Sequence, residues 1–468
     1  MMMTPVESFR DQDVAVFGLG GSGLSTVKAL RAGGARVAAW DDSERSRDKA
    51  RQKNIELVDL THADFSAYRA LILAPGVPLT HPEPHWSVKK AHDARRPVIG
   101  DIELFCRERA RRAPGSPFVA ITGTNGKSTT TSLIAHLLSS TGRDVALGGN
   151  IGTAVLDLPP PSSSRYHVLE CSSFQIDLTP SLAPSIGVLL NITPDHLDRH
   201  GTMENYAAVK ERLVASADFS IIGVDDAWCR AIASRRRQAG RPLTTVSLSQ
   251  DQNADYVIFG TKILMRTEDE PVELVDLSSI PTLRGAHNAQ NAAAAIAAVK
   301  ALGLTDEEIR KGLHSFPGLA HRLEVVGSLG RAQIVNDSKA TNADATEKAL
   351  LSFPGGLFWI AGGRAKEGGI ASLLPLFNRV EKAYLIGEAA QDFAATLQNH
   401  IPYEMSGTVD AALLKAKDDA QKSSVNEPVI LLSPACASYD QFKNFEERGN
   451  HFRALAQSQS DFRPPENR

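Results

Sequence analysis

The segment ITGTNGKSTT, residues 121–130, constrains the fold and the chemistry of this chain more than any other feature. It follows the apolar stretch PFVA and opens a stretch with leucine and isoleucine on one helical face. A glycine-rich turn between a buried strand and a helix offers backbone N–H groups to phosphate oxygens, while a lysine and a hydroxyl supply charge and a magnesium ligand. Ile121 replaces the first glycine of the GxxxxGKS/T pattern. The segment predicts a nucleoside triphosphate site; the alternative is a capped helix with an exposed lysine.

A second glycine-rich turn, GLGGSG at residues 18–23, follows the strand-like stretch DVAVF. Its three spaced glycines fit the GxGxxG pattern, which allows a tight turn and directs the N–H groups of the next helix at a diphosphate. Asp41 and Asp42 end the next strand-like stretch, where an acidic residue could meet a ribose or a base. A nucleotide diphosphate, NAD(P) and a purely structural turn are all compatible with this motif.

Strand-like and helix-like stretches alternate along the 468 residues, which predicts parallel sheets with crossover helices. At about 150 residues per domain, this length corresponds to about three domains. The basic stretch RERARRAPGSP (107–117) is expected to be a solvent-exposed linker, and FPGLAHR (316–322) a hinge. We therefore predict three tandem α/β domains: a Rossmann-like domain over 1–112, a central P-loop domain with a mostly parallel sheet over 113–318, and a second Rossmann-like domain over 319–468.

The composition excludes several classes of function. Lys and Arg number 51 against 54 Asp and Glu, and this near balance argues against a nucleic-acid binder. No run approaches the ~18 apolar residues that a membrane span needs. The four cysteines show no CxxC spacing, and the N-terminus lacks a signal-peptide pattern, so we expect a cytoplasmic protein with reduced thiols. The polar tail SQSDFRPPENR is expected to fray.

Candidate metal ligands follow two strands of the central domain. Glu170 closes RYHVLE, and His196 lies in TPDHLDRH after the strand-like IGVLLNIT. Groups at the carboxyl ends of parallel strands converge, and a carboxylate suits Mg²⁺, whereas a histidine is a less usual ligand and could be structural. Lys210, in NYAAVKERL, has the pattern of a solvent-exposed helical lysine. Four neighbours of His196 could equally form a polar network in that loop: Asp195, Asp198, Arg199 and His200.

The remaining polar motifs lie towards the C-terminus. Asn288 and Asn291 stand near a helix start, where amides could bind adenine or cap the helix. Arg322 offers a guanidinium suited to a transferring γ-phosphate. NDSKATN (336–342) and SPACASYDQFKNFEERG (433–449) each follow a strand-like stretch. Their cationic and hydroxyl groups suit a small anionic substrate, with ordinary helix capping as the alternative.

Taken together, GTNGKST, ECSSFQ, DHLDRH, GAHNxxN, HR, NDSKATN and SPACASYDQFKNFEERG resemble, in this order, the Mur ligases of peptidoglycan synthesis. The resemblance extends from Gly18 to about Phe452, and its first and last motifs are most similar to the branch that uses D-glutamate. It implies an ATP-dependent amide ligase. The carboxylate of UDP-N-acetylmuramoyl-L-alanine would attack the γ-phosphate of ATP, and the amine of D-glutamate would attack the resulting acyl phosphate.

The resemblance also implies roles for particular residues. The ATP-binding set is Gly123, Thr124, Asn125, Gly126, Lys127, Ser128, Thr129, Asn288, Asn291, Arg322 and Asp337. Two Mg²⁺ ions are implied at Ser128, Glu170, His196 and a carbamylated Lys210. The catalytic set is Lys127, His196, Lys210 and Arg322. The set implied for the UDP-substrate is Gly21, Ser22, Asp41 or Asp42, Gly76 and Asn150. The set implied for D-glutamate is Lys339, Thr341, Lys366, Ser438, Tyr439 and Phe445. One departure is Gly223, where an NxDD pattern would have asparagine.

Three other interpretations compete with this one. A family member that adds L-alanine, or a folylpolyglutamate synthase, should differ in the first domain or the last motif, and SPACASYDQF argues against both. A nicotinamide-dependent oxidoreductase would leave GTNGKST without a role. A regulatory P-loop switch should lack a second substrate's site. We expect a monomer whose partners are small molecules, with neither nucleic acid nor membrane among them.

Overall fold

The structure, a computed structural model, describes residues 3–249, 253–365 and 368–465. In these ranges the chain forms three sheets, of four, nine and seven strands. Residues Met1–Asp276 with Ala286–Phe316 form one compact unit, and Leu277–Gly285 with Pro317–Arg468 form a second. Three sheets, each with helices between its strands, confirm the predicted fold class. The boundaries after 112 and 318 stay predictions.

The four-stranded sheet is parallel throughout, in the order β2-β1-β3-β4. Its strands are β1 (Asp13–Phe17), β2 (Arg36–Trp40), β3 (Leu71–Leu73) and β4 (Val98–Ile99). Its helices are α1 (Gly21–Ala32), α2 (Glu44–Gln52), α3 (Trp86–Asp93) and α4 (Asp101–Arg112). The apolar runs of these strands match a parallel sheet, which is covered on both faces.

The stretch 107–117, which was predicted to be a linker, is helical up to Arg112, so that prediction is wrong over 107–112. Residues 113–117 connect α4 to β5 without helix or strand. Glu103 and Glu108 of α4 are buried, the latter with 0 % exposure. Arg107 donates to Glu103 at 2.8 Å, and Arg112 donates to Glu108 at 3.1 Å, each four residues further on. Because these pairs neutralise the buried carboxylates, one side of the charged helix packs inwards, while Arg111 and Arg112 stay exposed.

The nine-stranded sheet has the order β13-β12-β11-β10-β9-β8-β5-β7-β6. Its strands are β5 (Phe118–Thr122), β6 (Asp144–Gly149), β7 (Arg165–Glu170), β8 (Ile186–Leu189), β9 (Phe219–Gly223), β10 (Leu243–Ser247), β11 (Tyr256–Phe259), β12 (Lys262–Met265) and β13 (Val272–Asp276). Its helices are α5 (Lys127–Ser139), α6 (Ser173–Asp177), α7 (Leu197–His200), α8 (Met203–Ala215), α9 (Ala227–Gln238), α10 (Ala286–Ala301) and α11 (Asp306–His314). The strands β5 to β11 are parallel, and β12 and β13 are antiparallel additions at one edge. β5 lies between β7 and β8, so the carboxyl ends of these three strands meet.

The seven-stranded sheet has the order β18-β17-β16-β19-β15-β14-β20. Its strands are β14 (Glu324–Leu329), β15 (Ala332–Asn336), β16 (Leu357–Gly362), β17 (Val380–Ile386), β18 (Tyr403–Gly407), β19 (Val429–Leu432) and β20 (Phe462–Arg463). Its helices are α12 (Ala343–Leu351), α13 (Ala390–Leu397), α14 (Val409–Lys422) and α15 (Phe445–Gln457). The five strands β15 to β19 pair in parallel, whereas β14 and β20 are antiparallel.

The C-terminal tail does not fray over Phe462 and Arg463, contrary to prediction, because these residues pair with Leu329 and Ser328 of β14. A Cβ placed on Gly327 would lie 2.7 Å from the Phe462 ring, so this glycine lets the tail pack closely. Among the described residues, no helix combines the length and the apolar character that a bilayer span needs.

Candidate active site

The turn from β5 to α5, residues 123–126, has two glycines in conformations that other residues rarely adopt. Gly123 has φ +155° and Gly126 has φ +85°. A Cβ on Gly126 would lie 2.2 Å from Oδ1 of Asn291 in α10. These glycines therefore allow the backbone to turn sharply while a side chain of another helix packs directly against it.

The same turn is held by the segment that follows β8. The Thr124 N–H donates to the Asn191 carbonyl at 2.9 Å, and the Asn125 N–H donates to Asn191 Oδ1 at 2.8 Å. The Thr193 N–H donates to Thr124 Oγ1 at 3.0 Å, and the Tyr206 hydroxyl lies 3.1 Å from the same oxygen. These bonds between protein groups hold the loop, and backbone N–H groups of such a turn can form an anion-binding concavity.

Helix α5 begins at Lys127, directly behind this loop. Its Nζ donates to the carbonyls of Gly123 at 2.9 Å and Thr124 at 2.8 Å. Ser128 and Thr129 are buried in the first turn, and Thr129 Oγ1 has no hydrogen-bond partner in the described part of the chain. Since the first N–H groups of a helix lack intrahelical acceptors, this turn presents donors, hydroxyls and an ammonium group together.

Glu170 ends β7 directly beside β5, in register with Ile121. Its side chain is almost fully buried, with 2 % exposure for the residue. Oε1 accepts a hydrogen bond from Asn150 Nδ2 at 2.8 Å, whereas Oε2 finds no donor among the described residues. A buried carboxylate oxygen without a donor is costly, and a cation would compensate it.

His196 precedes α7 and has a left-handed backbone with φ +52°. Its half-exposed side chain lies 3.3 Å from Asp195, measured from Nε2 to Oδ2. The ring packs at 4.9 Å from the ring of Phe174, which stands in α6 four residues after Glu170. Phe174 therefore links the His196 loop to the segment that follows the buried carboxylate.

Lys210 is buried in α8, with 1 % exposure, so the solvent-exposed interpretation is wrong. Its Nζ donates to the Gly123 carbonyl at 2.9 Å and lies 3.3 Å from Thr122 Oγ1. The same carbonyl accepts from Lys127, so two ammonium groups meet at one oxygen. Burial, and secondarily the charge of Lys127, lower the pKa of Lys210 to about 7.

The asparagines of α10 lie at the same loop. Asn288 and Asn291 are buried, and Nδ2 of Asn291 donates to Oδ1 of Asn288 at 3.4 Å. At Gly223, where the sequence departs from the NxDD pattern, a Cβ would lie 2.2 Å from the Leu190 carbonyl oxygen. An asparagine at this position would therefore require the backbone to shift.

Two glycines of the first motif, Gly18 and Gly23, stand where there is no room for a Cβ atom. A Cβ on Gly18, which has φ +93°, would lie 2.5 Å from Cβ of Ala74, and a Cβ on Gly23 would lie 1.8 Å from the Gly18 carbonyl oxygen. Gly20 and Gly21 face open space. The turn can therefore approach a ligand closely at its centre while it packs against the end of β3.

The two acidic residues after β2 have different partners. Asp41 accepts from the N–H groups of Leu19 at 2.6 Å and Ser43 at 2.8 Å. Asp42 accepts from the Trp86 indole at 3.1 Å and lies 3.0 Å from Nε2 of His85. Asp41 therefore bonds to the glycine turn itself, whereas Asp42 bonds to His85 and Trp86 at the start of α3.

In the second compact unit, Arg322 lies between two residues with left-handed backbones, His321 at φ +63° and Leu323 at φ +43°. The Leu323 N–H donates to Asp337 Oδ1 at 3.1 Å, and the Lys339 N–H donates to the His321 carbonyl at 3.0 Å. Burial raises the pKa of Asp337 to about 7. The strained turn is therefore held by the segment that follows β15.

The residues predicted for D-glutamate have unequal environments. The Lys339 ammonium lies 5.6 Å from the centre of the Phe445 ring. Ser438 is buried, whereas Tyr439 is 66 % exposed. The Thr341 N–H donates to the Lys339 carbonyl at 2.9 Å. Lys366 lies outside the described residues.

Comparison with known proteins identifies the family. Residues 12–100 match the Mur ligase MurD-like N-terminal domain, 121–299 the Mur ligase middle domain, and 321–436 the Mur ligase glutamate ligase domain. The chain belongs to the Mur ligase family. It is 58% identical to the UDP-N-acetylmuramoylalanine–D-glutamate ligase of Brucella abortus (strain 2308) over 451 residues, which cover 96% of this chain and 97% of that relative. It is 56% identical to the protein of that name from Nitrobacter hamburgensis over 459 residues, with 97% and 98% covered.

Solved Mur ligase structures share the fold. The UDP-N-acetylmuramate-alanine ligase MurC of Thermotoga maritima has a TM-score of 0.59 at 18% identity, with 96% of this chain and 99% of that one covered. A UDP-N-acetylmuramoyl-L-alanyl-D-glutamate–2,6-diaminopimelate ligase has a TM-score of 0.53 at 22% identity, with 79% and 88% covered.

In this Mur ligase the residues around the turn at 123–126 fit magnesium and a nucleotide triphosphate. No group of three or more His, Cys, Asp or Glu side chains that could hold a metal is present in the described ranges. Mg²⁺ does not need such a group, because it usually keeps waters and binds phosphate oxygens beside one or two protein ligands. The unpartnered oxygens of Glu170 and Thr129 are the observation that fits the ion.

Several structural partners of the site in this Mur ligase were missed by sequence reasoning. Asn191 holds the turn at 123–126, and Phe174 lies between His196 and His200, whose ring stacks on the Phe174 ring at 5.4 Å. Burial lowers the pKa of His200 to about 4, and its Nε2 lies 2.9 Å from Ser173 Oγ. Arg448 is buried and donates to Ser338 and to a carbonyl in the SPACAS segment. Phe174 and Arg448 lie in the motifs ECSSFQ and SPACASYDQFKNFEERG, which is the signal that could have pointed to them, whereas Asn191 lies outside every such motif.

Proposed function

We propose that this Mur ligase catalyses the ATP-dependent addition of D-glutamate to UDP-N-acetylmuramoyl-L-alanine. The observation that carries the proposal is that Lys127 and Lys210 both reach the Gly123 carbonyl, directly after β5. The neighbouring strand β7 ends in Glu170, which has one carboxylate oxygen without a donor among the described residues. The names of the relatives at 58% identity over 96% of the chain supply the substrates. The proposal includes a monomer that acts in the cytoplasm on small molecules.

A carboxylate is a poor electrophile, so the first step supplies a leaving group. An oxygen of the substrate carboxylate forms a bond to the γ-phosphorus of ATP, the bond from that phosphorus to the β-γ bridging oxygen breaks, and ADP leaves. Lys127 stabilises the negative charge that builds on the transferring phosphoryl group, and the N–H groups at the start of α5 bind the oxygens of that group. Arg322 is assigned to the same charge.

In the second step, the amine of D-glutamate attacks the acyl-phosphate carbon. The tetrahedral intermediate loses inorganic phosphate when its carbon–oxygen bond to phosphorus breaks, and the amine nitrogen loses a proton. The products are one amide bond, ADP and phosphate. The residues assigned to D-glutamate are Lys339, Thr341, Lys366, Ser438, Tyr439 and Phe445, where cations and hydroxyls suit two carboxylates.

Ser128, Glu170 and His196 would hold magnesium, which neutralises phosphate charge when it is bound. Support comes from the missing donor at Glu170 Oε2 and from the burial of Ser128. Asn288 and Asn291 are assigned to the nucleotide, together with Asp337. The residues assigned to the UDP-substrate are Gly21, Ser22, Asp41 or Asp42, Gly76 and Asn150.

Lys210 is proposed to be carbamylated and to serve a second magnesium ion. Its pKa of about 7 leaves a large fraction of the amine neutral near neutral pH, and this fraction rises as the pH rises. The neutral amine takes up CO₂ to form a carbamate and releases one proton. This converts a buried cation next to Lys127 into an anion, which removes the repulsion between them.

The test is phosphate release from ATP with UDP-N-acetylmuramoyl-L-alanine, with D-glutamate, L-glutamate, L-alanine or glycine added separately. Release that requires both the UDP-substrate and D-glutamate is the expected result. Release with another amino acid would retain the ligase chemistry and contradict the assigned amino acid. No release in any mixture, with NAD(P) bound instead, would contradict the reaction itself.

A further inference from the structure

Arg199 lies in α7, one of the helices of the nine-stranded sheet. Its side chain reaches the loop that follows β3 of the four-stranded sheet. Its guanidinium donates to three consecutive carbonyls, from Nη1 to Gly76 at 3.0 Å and from Nη2 to Val77 at 2.9 Å and Pro75 at 3.4 Å. The guanidinium also packs on the Phe174 ring, whose centre lies 4.6 Å from the guanidinium carbon. One side chain therefore determines the direction of three peptide groups.

The loop at 75–77 stands where ligands bind to parallel sheets, at the carboxyl end of a strand next to the glycine turn. Gly18 of that turn packs against this loop, because a Cβ on it would lie 3.3 Å from the Val77 side chain. Gly76 is exposed, and its N–H has no hydrogen-bond partner within the described residues. In a planar trans peptide the N–H points opposite to the carbonyl, so holding the Pro75 carbonyl on Arg199 turns the Gly76 N–H away from it.

We propose that Arg199 is a positioning residue that aims the Gly76 N–H at the diphosphate of the UDP-substrate. This inference rests on the proposed function for the identity of the substrate. A backbone N–H with no other partner is a suitable donor to a phosphate oxygen. Arg199 acts through the loop and is not assigned a contact with the substrate.

Arginine is the residue that these contacts require. Its planar fork offers several donors in fixed directions and stacks on an aromatic ring, whereas lysine has a compact ammonium group that can do neither in the same way. The residue that follows α7, Gly201, also packs closely against a loop of the four-stranded sheet, at His81. A Cβ on Gly201, which has φ +78°, would lie 2.6 Å from Nε2 of His81.

The experiment compares Arg199→Lys and Arg199→Gln with the wild type by titration calorimetry. Three ligands are titrated separately: UDP-N-acetylmuramoyl-L-alanine, UDP alone, and a non-hydrolysable ATP analogue with Mg²⁺. We expect about tenfold weaker binding of both UDP ligands, the size of one lost charge-assisted arrangement, and less than about twofold change for the ATP analogue. In steady state the KM for the UDP-substrate should rise more than kcat falls.

Arg165→Lys is the matched control, because Arg165 also donates to a backbone carbonyl, that of Pro160 at 2.8 Å, from the opposite end of β7. Its binding constants should equal those of the wild type. Thermal unfolding checks that each variant is folded. If Arg199→Lys is not folded, the comparison is made with Arg199→Gln alone. Equal affinity of wild type and Arg199 variants for UDP, or an equal loss for all three ligands, would overturn the inference. A wild-type protein that binds no UDP ligand would instead contradict the proposed function.

Discussion

The two glycine-rich turns of this Mur ligase have the same backbone plan and different surroundings. Each connects a parallel strand to a helix, and each has a glycine with positive φ, Gly18 in the first sheet and Gly126 in the second. The turn at 123–126 is bonded by two lysines, whereas the turn at 18–23 is bonded by the carboxylate of Asp41 at the Leu19 N–H. The difference teaches that the glycine pattern supplies only the turn, and that the charges around each turn come from other segments of the chain.

The largest effect that this comparison predicts is for Lys127→Ala. Phosphate release should fall about a thousandfold, because a cation at the transferring phosphoryl group is lost, while UDP affinity stays unchanged. Steady-state rates and calorimetry with UDP check the two halves. Lys311→Ala removes an exposed lysine that pairs with Glu307 and is the control. Loss of UDP affinity in Lys127→Ala would mean that the two turns do not have separate ligands.

The second prediction separates the two lysines that share the Gly123 carbonyl. Lys210→Ala should lower phosphate release about a hundredfold, as expected for a lost charged group at the reacting phosphates, and added acetate should restore part of it. Acetate supplies the carboxylate that the carbamate would have supplied. Acetate should not restore activity to Lys127→Ala, because that variant has lost a cation and acetate is an anion. Full activity of Lys210→Ala, with no response to acetate, would contradict the carbamate.

The third prediction concerns Glu170, whose carboxylate ends the strand next to the one that leads into the second turn. Glu170→Gln keeps the shape of the side chain and removes the charge at its unpartnered oxygen, so the apparent Mg²⁺ affinity should fall roughly tenfold. The magnesium dependence of phosphate release measures it. Glu273→Gln, at the surface pair with Lys262, should leave that dependence as it is. An unchanged magnesium dependence in Glu170→Gln would remove this residue from the metal site.

The last prediction is for Gly18→Ala, which tests whether the backbone of the first turn requires glycine. The added Cβ would meet Ala74 at 2.5 Å and the backbone has φ +93°, so unfolding should become easier by about 1–3 kcal/mol. Binding of UDP should weaken with it, and ATP-analogue binding should not. Gly115→Ala faces open space and is the control for denaturant unfolding. A stable Gly18→Ala protein with full UDP affinity would show that this turn does not need glycine.

Much of the fold could be predicted because it depends on local patterns. Short apolar runs gave the positions of β1, β5 and β7, and the three-domain α/β class is confirmed. The part 107–112 of the predicted linker was predicted wrongly, because its charges suggest a solvent-exposed segment and it is the end of α4. Glu103 and Glu108 are buried in α4 through arginines one turn away, and only packing decides which side of a charged helix faces inwards.

The sequence by itself determined the strand–turn–helix at 118–139, the order of the motifs and the family, because these are properties of neighbouring residues. The tertiary structure decided which side chains meet at those turns. It buried Lys210 against Gly123, closed the space at Gly223 with the Leu190 carbonyl, and put Arg199 on the loop at 75–77. A turn and its periodicity arise within a few residues of chain, whereas burial, and the pKa that burial sets, depend on segments that are distant in sequence and adjacent only in the folded protein.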